Sequence, residues 1–305
     1  MSAARSVLLC FGLGYSARVL AHRLAGQGWT VCGTSREPEQ AARPGMLRFD
    51  RQHPLPPVAF ADVTHVLVSV PPDDAGDPVL DTHAEEIAAL PGLDWLGYLS
   101  TTGVYGDRGG GWVVEASELR PSGARGRRRV AAEAGWLDFC RRRGVPVHIF
   151  RLAGIYGPGR SPFDAMRAGT AKRIDRPGQV FSRIHVEDLA SVLVASITRP
   201  RPGAIYNVCD DEPAEPAAVI AHAAGLLGLP APPLVPFREA ELSPMARSFW
   251  ADNKRVSNAL IKQELGVVLR YPDYRAGLAA ILARVDAARQ HSQILRTRRL
   301  DATRR

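Results

Sequence analysis

Three groups of residues in this chain have types and spacings that suit chemistry. The first is Gly12-Leu13-Gly14-Tyr15-Ser16-Ala17, a G-x-G-x-x-A pattern. Gly12 suits a tight turn, Gly14 the close approach of backbone to a pyrophosphate, and Ala17 the close packing of a helix on a strand. The second is Gly33-Thr34-Ser35-Arg36. A site for NAD would offer an acid there to the adenine ribose. Arg36 can instead pair with a 2′-phosphate, and Thr34 and Ser35 can donate hydroxyl hydrogen bonds to it. NADP(H) is therefore expected, with NAD(H) the second choice. The third is Arg125 and Arg129, four residues apart and so on one face of a helix. Guanidinium groups stay protonated near neutral pH, which fits a pair that reads an anion and not one that transfers a proton.

Each group needs an element to hold it. Ser6 to Phe11 is a short apolar run, and Tyr15 to Gln27 carries a helical pattern, so the glycine-rich turn sits between strand and helix with free N–H groups facing an anion. Further strands are read at Trp29 to Thr34, Met46 to Phe49, His65 to Val70, Trp95 to Thr101 and Val145 to Arg151. Helices are read at Leu80 to Leu90 and Ser122 to Arg143, the latter closed by Gly144. This alternation predicts an α/β protein with a doubly wound parallel sheet, a Rossmann fold. After Gly157-Pro158-Gly159 the rhythm changes. Helical patterns at Val186 to Ile197, Pro213 to Leu227, Asp252 to Leu265 and Asp273 to Arg289 alternate with proline-rich loops, and only Ile205 to Val208 reads as a strand. The expected organisation is a dinucleotide-binding domain over 1–157 with a return strand near 204–208, a smaller and mostly helical substrate lobe over 158–285, and a frayed basic tail over 286–305. The substrate pocket is expected between the lobes, over the carboxyl ends of the strands.

Composition narrows the function classes. The 305 residues are 46% hydrophobic and 23% charged, an ordinary globular balance. No apolar run reaches the roughly 20 residues of a membrane span, and the start lacks a secretory h-region, so a soluble cytoplasmic protein is expected. Cys10, Cys32, Cys140 and Cys209 show neither disulfide nor zinc spacing, and no metal site is expected. The net charge of +8 is concentrated in the tail, where residues 284–305 hold seven arginines and two aspartates. A nucleic-acid partner is not expected, because no recognition motif accompanies that charge.

In this order the motifs resemble the extended short-chain dehydrogenase/reductase family, the NAD-dependent epimerase/dehydratase group, from the glycine-rich turn to about Ala280. Leu99-Ser100-Thr101-Thr102-Gly103-Val104-Tyr105-Gly106 is similar to the family's fifth-strand motif and puts Thr101 at its catalytic Ser or Thr. Glu115 and Pro121 recur at familiar spacings. Arg151-Leu152-Ala153-Gly154-Ile155-Tyr156-Gly157-Pro158-Gly159 resembles its nicotinamide-side strand and loop, and Ile184-His185-Val186-Glu187-Asp188 its second-lobe signature. The resemblance implies that Tyr15, Ser16, Asp50, Val70 and Ile155 join Gly12, Gly14 and Ala17 around the cofactor, with Asp50 on the adenine.

One departure stands out. The family's Tyr-x-x-x-Lys on the long helix is replaced here by Arg125 and Arg129, counting back from Glu133. The segment is most similar to an atypical bacterial subgroup called YeeZ-like. The family alignment puts the arginine face over the nicotinamide end, where Arg129 takes the lysine's place on the ribose, and Tyr105 or Tyr156 becomes the substitute acid. A second departure, Phe181-Ser182-Arg183, lacks the Arg-Asp-aromatic pattern of sugar-nucleotide epimerases; His185 beside it reads as a packing residue. Two functions follow as expectations. One is an NADP-dependent oxidoreductase or epimerase-like enzyme for a small anionic substrate. The other is a non-catalytic NADP(H)-sensing protein. A homodimer through the long helix is left open, because Arg127, Arg128 and Arg141 to Arg143 would crowd positive charge there unless acids oppose them.

Overall fold

The computed structural model describes residues 6–287. Seven parallel strands form the central sheet: β1 (Val7–Phe11), β2 (Thr30–Ser35), β3 (Met46–Arg48), β4 (His65–Val68), β5 (Trp95–Thr101), β6 (Val147–Leu152) and β7 (Ile205–Val208). Their order across the sheet is β7-β6-β5-β4-β1-β2-β3. The chain therefore winds outward from β1 to β3, returns to β4 beside β1, and winds the other way. At that reversal the carboxyl ends of the strands part and leave a crevice. Residues of β4, β5 and β6 are buried on both faces, which is why these strands read as unbroken apolar runs and not as alternating ones.

Helices cover both faces. On one side α1 (Tyr15–Ala25) packs Leu20 and Leu24 with Leu189, Val192 and Leu193 of the helix Val186–Thr198 against Leu8, Leu67 and Phe150 of the sheet. On the other, α2 (Pro78–Ala88) and α3 (Ala124–Arg143) pack Val79, Ile87, Trp136 and Phe139 against Leu9, Val66 and Tyr98. Gly144 ends α3 in the left-handed conformation, φ 70°, that favours glycine.

The long-helix arginines are largely opposed by acids of the same chain. Arg128 pairs with Asp74, Arg141 and Arg142 with Asp138, and Arg143 with Glu85.

The second half departs from its sequence reading in three places. Val186–Thr198 was expected in the substrate lobe, yet it lies on the sheet beside α1, where Glu187 pairs with Arg23 at 3.0 Å. Asp252 to Leu265 is not one helix: Arg255–Val256 is a strand paired with Trp112–Val113, and the helix begins at Ala259. The Asn253 carbonyl accepts the N–H groups of Arg108 and Gly110, and Val256 N–H donates to Ser182 Oγ, so the segment is drawn out straight. Short parallel ladders also join Gly154–Tyr156 to Arg183–His185 and Arg173–Asp175 to Leu234–Pro236, where the sequence showed no strand.

The last described helix covers 274–287, and the rest of the expected basic tail lies outside the described residues. Among the described residues no helix is long and apolar enough to cross a membrane, and no cluster of His, Cys, Asp and Glu could hold a metal ion.

Candidate functional site

The crevice opens above the turn between β1 and α1. Gly12 sits at φ +84°, a conformation that L side chains rarely adopt, and its N–H donates to Thr34 Oγ1 at 2.9 Å. Gly14 is the N-cap of α1; no side chain caps the helix and no acid stands in its first turn. A Cβ on Gly14 would meet nothing within 4 Å, so the space in front of the helix start is open. Ser16 and Ala17 are buried behind it, and Val70 abuts Gly12. Unfilled N–H groups, no opposing acid and open space suit a pyrophosphate there.

The adenine side needs correction. Thr34 is buried and its hydroxyl already holds the Gly12 turn, so it fastens the loop and is not placed to read a 2′-phosphate. Ser35 Oγ accepts the Glu37 N–H at 3.1 Å. Arg36 reaches into solvent, its side chain 82% exposed, and pairs with Glu37 at 3.1 Å, an acid that the sequence reading passed over. Asp50 is turned onto its own loop, facing His53 Nδ1 at 2.8 Å and accepting the Gln52 N–H, and these bonds hold its carboxyl below the usual range.

A cleft of about 990 Å³ is lined by Tyr15 and Ser16 beside the glycine-rich turn and by Lys254 and Val256, and brings Thr101, Arg125, Arg129, Ile155 and Tyr156 together. Thr101 ends β5, its Oγ1 accepting the Gly103 N–H at 3.1 Å. Arg125 and Arg129 share the cleft face of α3 but do different work. Arg129 is anchored downward, Nη1 donating to Tyr98 OH at 3.0 Å and to the Leu99 carbonyl at 2.6 Å. Arg125 reaches across the cleft, its guanidinium 5.4 Å from the centre of the Phe249 ring. Gly126 lets the helix start lie this low, because a Cβ there would come within 2.7 Å of Pro121 Cβ and 3.0 Å of the Gly103 carbonyl.

Tyr105 is not in the cleft. It is fully buried, its hydroxyl donating to Asn207 Oδ1 at 2.7 Å and accepting from Arg151 Nη1 at 2.9 Å, so its expected role as an acid is corrected to a structural one. It belongs to a network beneath the cleft floor. Arg151 and Glu133, both buried, pair at 2.8 Å; Ser100 donates to Glu133, Arg151 to the Glu115 carbonyl, and Asn207 N–H to Glu115 Oε1. Tyr156 does line the cleft, but its hydroxyl donates to the Asp273 carbonyl, and burial pushes its pKa further up. Burial holds His185 down to about 4; it is neutral, with Nδ1 accepting the Glu187 N–H and its ring packed on Tyr156 and Tyr271.

Residues that sequence reasoning missed complete the far end: Phe249, Trp250, Asp252 and Lys254. Lys254 Nζ pairs with Asp252 Oδ2 at 3.0 Å, with side chains 11% and 14% exposed. One signal was legible. The chain has three lysines, at 172, 254 and 262, against thirty-six arginines. The other two lie nearer the surface, so the one sheltered lysine is the one lining the cleft.

A model of the NAD dependent epimerase/dehydratase family matches residues 84–209. Protein YeeZ of Escherichia coli strain K12 is 30% identical over 279 residues, spanning 86% of this chain and 95% of that protein. A functionally unknown conserved protein from Silicibacter pomeroyi superposes with a TM-score of 0.84 at 54% identity, over 92% of this chain and 99% of that one. A human epimerase family protein solved with NADPH superposes with a TM-score of 0.69 at 18% identity, over 90% and 98% of the two chains.

Proposed function

Since the chain belongs to the NAD dependent epimerase/dehydratase family, we propose that it binds a nicotinamide dinucleotide, NADP(H) ahead of NAD(H), and is an oxidoreductase or epimerase-like enzyme for a small anionic substrate. The observation that carries this reading is the charge of the cleft. Among the described residues, Arg125, Arg129, Arg160, Arg183 and Lys254 line it against a single acid, Asp252. Such a cleft draws in and holds anions. Gly12 and Gly14 would seat the pyrophosphate, Arg36 the 2′-phosphate, and Arg129 and Ile155 would border the nicotinamide end. When bound, the dinucleotide gives or takes a hydride. Thr101, its oxygen already accepting from Gly103, keeps its hydroxyl proton free to orient a carbonyl oxygen. A cytoplasmic location is part of the proposal, supported by four free cysteines.

The test has two parts. Calorimetry with NADPH and NADH should show tighter binding of NADPH, and NADPH-loaded protein should oxidise its cofactor with some member of a panel of keto acids and aldehydes. If neither dinucleotide binds, the reading fails at its root.

A specific observation favours the second reading, a non-catalytic NADP(H) sensor. Arginines fill the family's Tyr and Lys positions, and both cleft phenols, Tyr15 and Tyr156, donate to backbone carbonyls while burial raises their pKa. Tight NADPH binding with no turnover across the panel supports it.

A further inference from the structure

We infer that the end of the cleft away from the glycine-rich turn is a subsite for a flat aromatic carboxylate that carries a hydroxyl group. The inference rests on the cleft being the substrate site and goes further by naming the substrate class. Three observations carry it.

The wall contributed by the helix Pro244–Trp250 is apolar and turned to the cleft. Phe249 and Met245 line the cleft while remaining 54% and 61% exposed. Large apolar side chains left this open gain by being covered, and a ring gains most from a planar partner. The next residue, Trp250, fastens the end of that helix, its indole meeting Phe181 edge-on at 5.3 Å.

Arg125 stands over that ring with no acid of the described residues paired to it. A carboxylate lying at the edge of a ring stacked on Phe249 would meet its guanidinium fork.

Lys254 and Asp252 have bonding capacity to spare. The ammonium has three donors, of which Asp252 Oδ2 takes one. Asp252 Oδ1 is buried with no partner among the described residues. An unused donor beside an unused acceptor is the arrangement that a hydroxyl satisfies, its oxygen accepting from Lys254 and its proton going to Asp252. Inorganic phosphate would leave the apolar wall uncovered, and an aliphatic acid without a hydroxyl would satisfy the cations and leave Asp252 Oδ1 as it is.

The experiment is calorimetric titration of the full chain, with and without NADPH, using 4-hydroxybenzoate and 4-hydroxyphenylacetate, each beside its hydroxyl-free counterpart, together with cyclohexanecarboxylate and inorganic phosphate. At least one hydroxylated aromatic acid should bind about tenfold tighter than its counterpart and than cyclohexanecarboxylate or phosphate. Lys254→Met should remove the advantage of the hydroxyl, Lys254→Arg should keep most of it, and Phe249→Ala should weaken the aromatic acids more than cyclohexanecarboxylate. Equal binding of phosphate or cyclohexanecarboxylate, no binding of any aromatic acid, or a Lys254→Met variant that folds and binds as the wild type overturns the inference. Failure of NADPH to bind speaks against the cofactor reading alone, since the aromatic acids are also titrated without it.

Discussion

The two ends of the cleft are built on different principles. At the glycine-rich end the groups that face the open space are backbone: N–H groups of a helix start and a glycine at positive φ, where a side chain is missing. At the other end they are side chains from segments more than a hundred residues apart, Arg125 on α3 and Phe249, Asp252 and Lys254 within and just after the helix Pro244–Trp250. A backbone site is fixed by local conformation and tolerates little change. A side-chain site can exchange one ion or ring for another while the fold stays.

Substitutions at each end should sharpen that contrast. The largest effect is expected at Gly14. Valine there enters only open space in the free protein, so the melting temperature should change little, while dinucleotide binding should fall by more than about a hundredfold because branched carbons occupy the phosphate position. Wild-type NADPH affinity in this variant would move the cofactor elsewhere.

Arg125→Ala comes next. It should weaken anion binding by more than about tenfold and leave NADPH affinity nearly unchanged. Unaltered binding of every anion that the wild type recognises contradicts the anion-reading role. The paired change Arg125→Tyr/Arg129→Lys restores the family's residues, and carbonyl reductase activity gained by it would show that their loss silenced the site.

A smaller effect is expected from Arg36→Asp. The side chain is exposed and shares its charge with Glu37, so the shift should be about tenfold against NADPH, enough to reverse the preference toward NADH. Calorimetry with both dinucleotides checks it, and an unchanged preference shows that Arg36 does not read the 2′-phosphate.

The smallest effect concerns stability against pH. Asp210 is buried, and desolvation outweighs the attraction of nearby Arg183 and of the backbone around Glu212, pushing its pKa up to about 8, with Asp211 adding to the rise. The folded protein thus holds this proton more tightly than the unfolded chain, where an aspartate titrates near about 3.9. Its contribution to stability is complete below that value and is lost as pH rises toward 8. Asp210→Asn does not titrate. Its melting temperature should gain on the wild type by a few degrees between pH 5 and pH 8, and parallel curves would show that Asp210 stays ionised throughout.

The same contrast governs what the sequence made legible. β5 and β7 stand where they were read, because parallel strands buried on both faces leave apolar runs bounded by glycine and proline. The glycine-rich turn was legible for a similarly local reason. The placement of Val186–Thr198 was not, since its apolar face shows that it is covered but not by what. Two- and three-residue ladders such as Arg255–Val256 with Trp112–Val113 are shorter than any repeat can report. Thr34 was misjudged because nothing local says whether a hydroxyl faces solvent or the next turn. Arg125 and Arg129 were placed on one face, but their separate tasks depend on Tyr98 and Phe249, which only the folded chain brings near.

The network under the cleft floor has a consequence for how this sequence can vary. Glu133, Arg151, Tyr105, Ser100, Asn207 and Glu115 come from separate stretches of chain and complete one another's bonding in a place with almost no water. Removing one charge of the buried pair strands the other, at a cost of about 3–5 kcal/mol, whereas replacing both by matched apolar groups costs far less. Double-mutant cycles across the pair should therefore be strongly non-additive, with a coupling of at least about 3 kcal/mol. A lone change at one of these positions is therefore costly until its partner changes too, whereas Arg125 and Phe249 above the floor lie outside this network and can be replaced without stranding a buried charge.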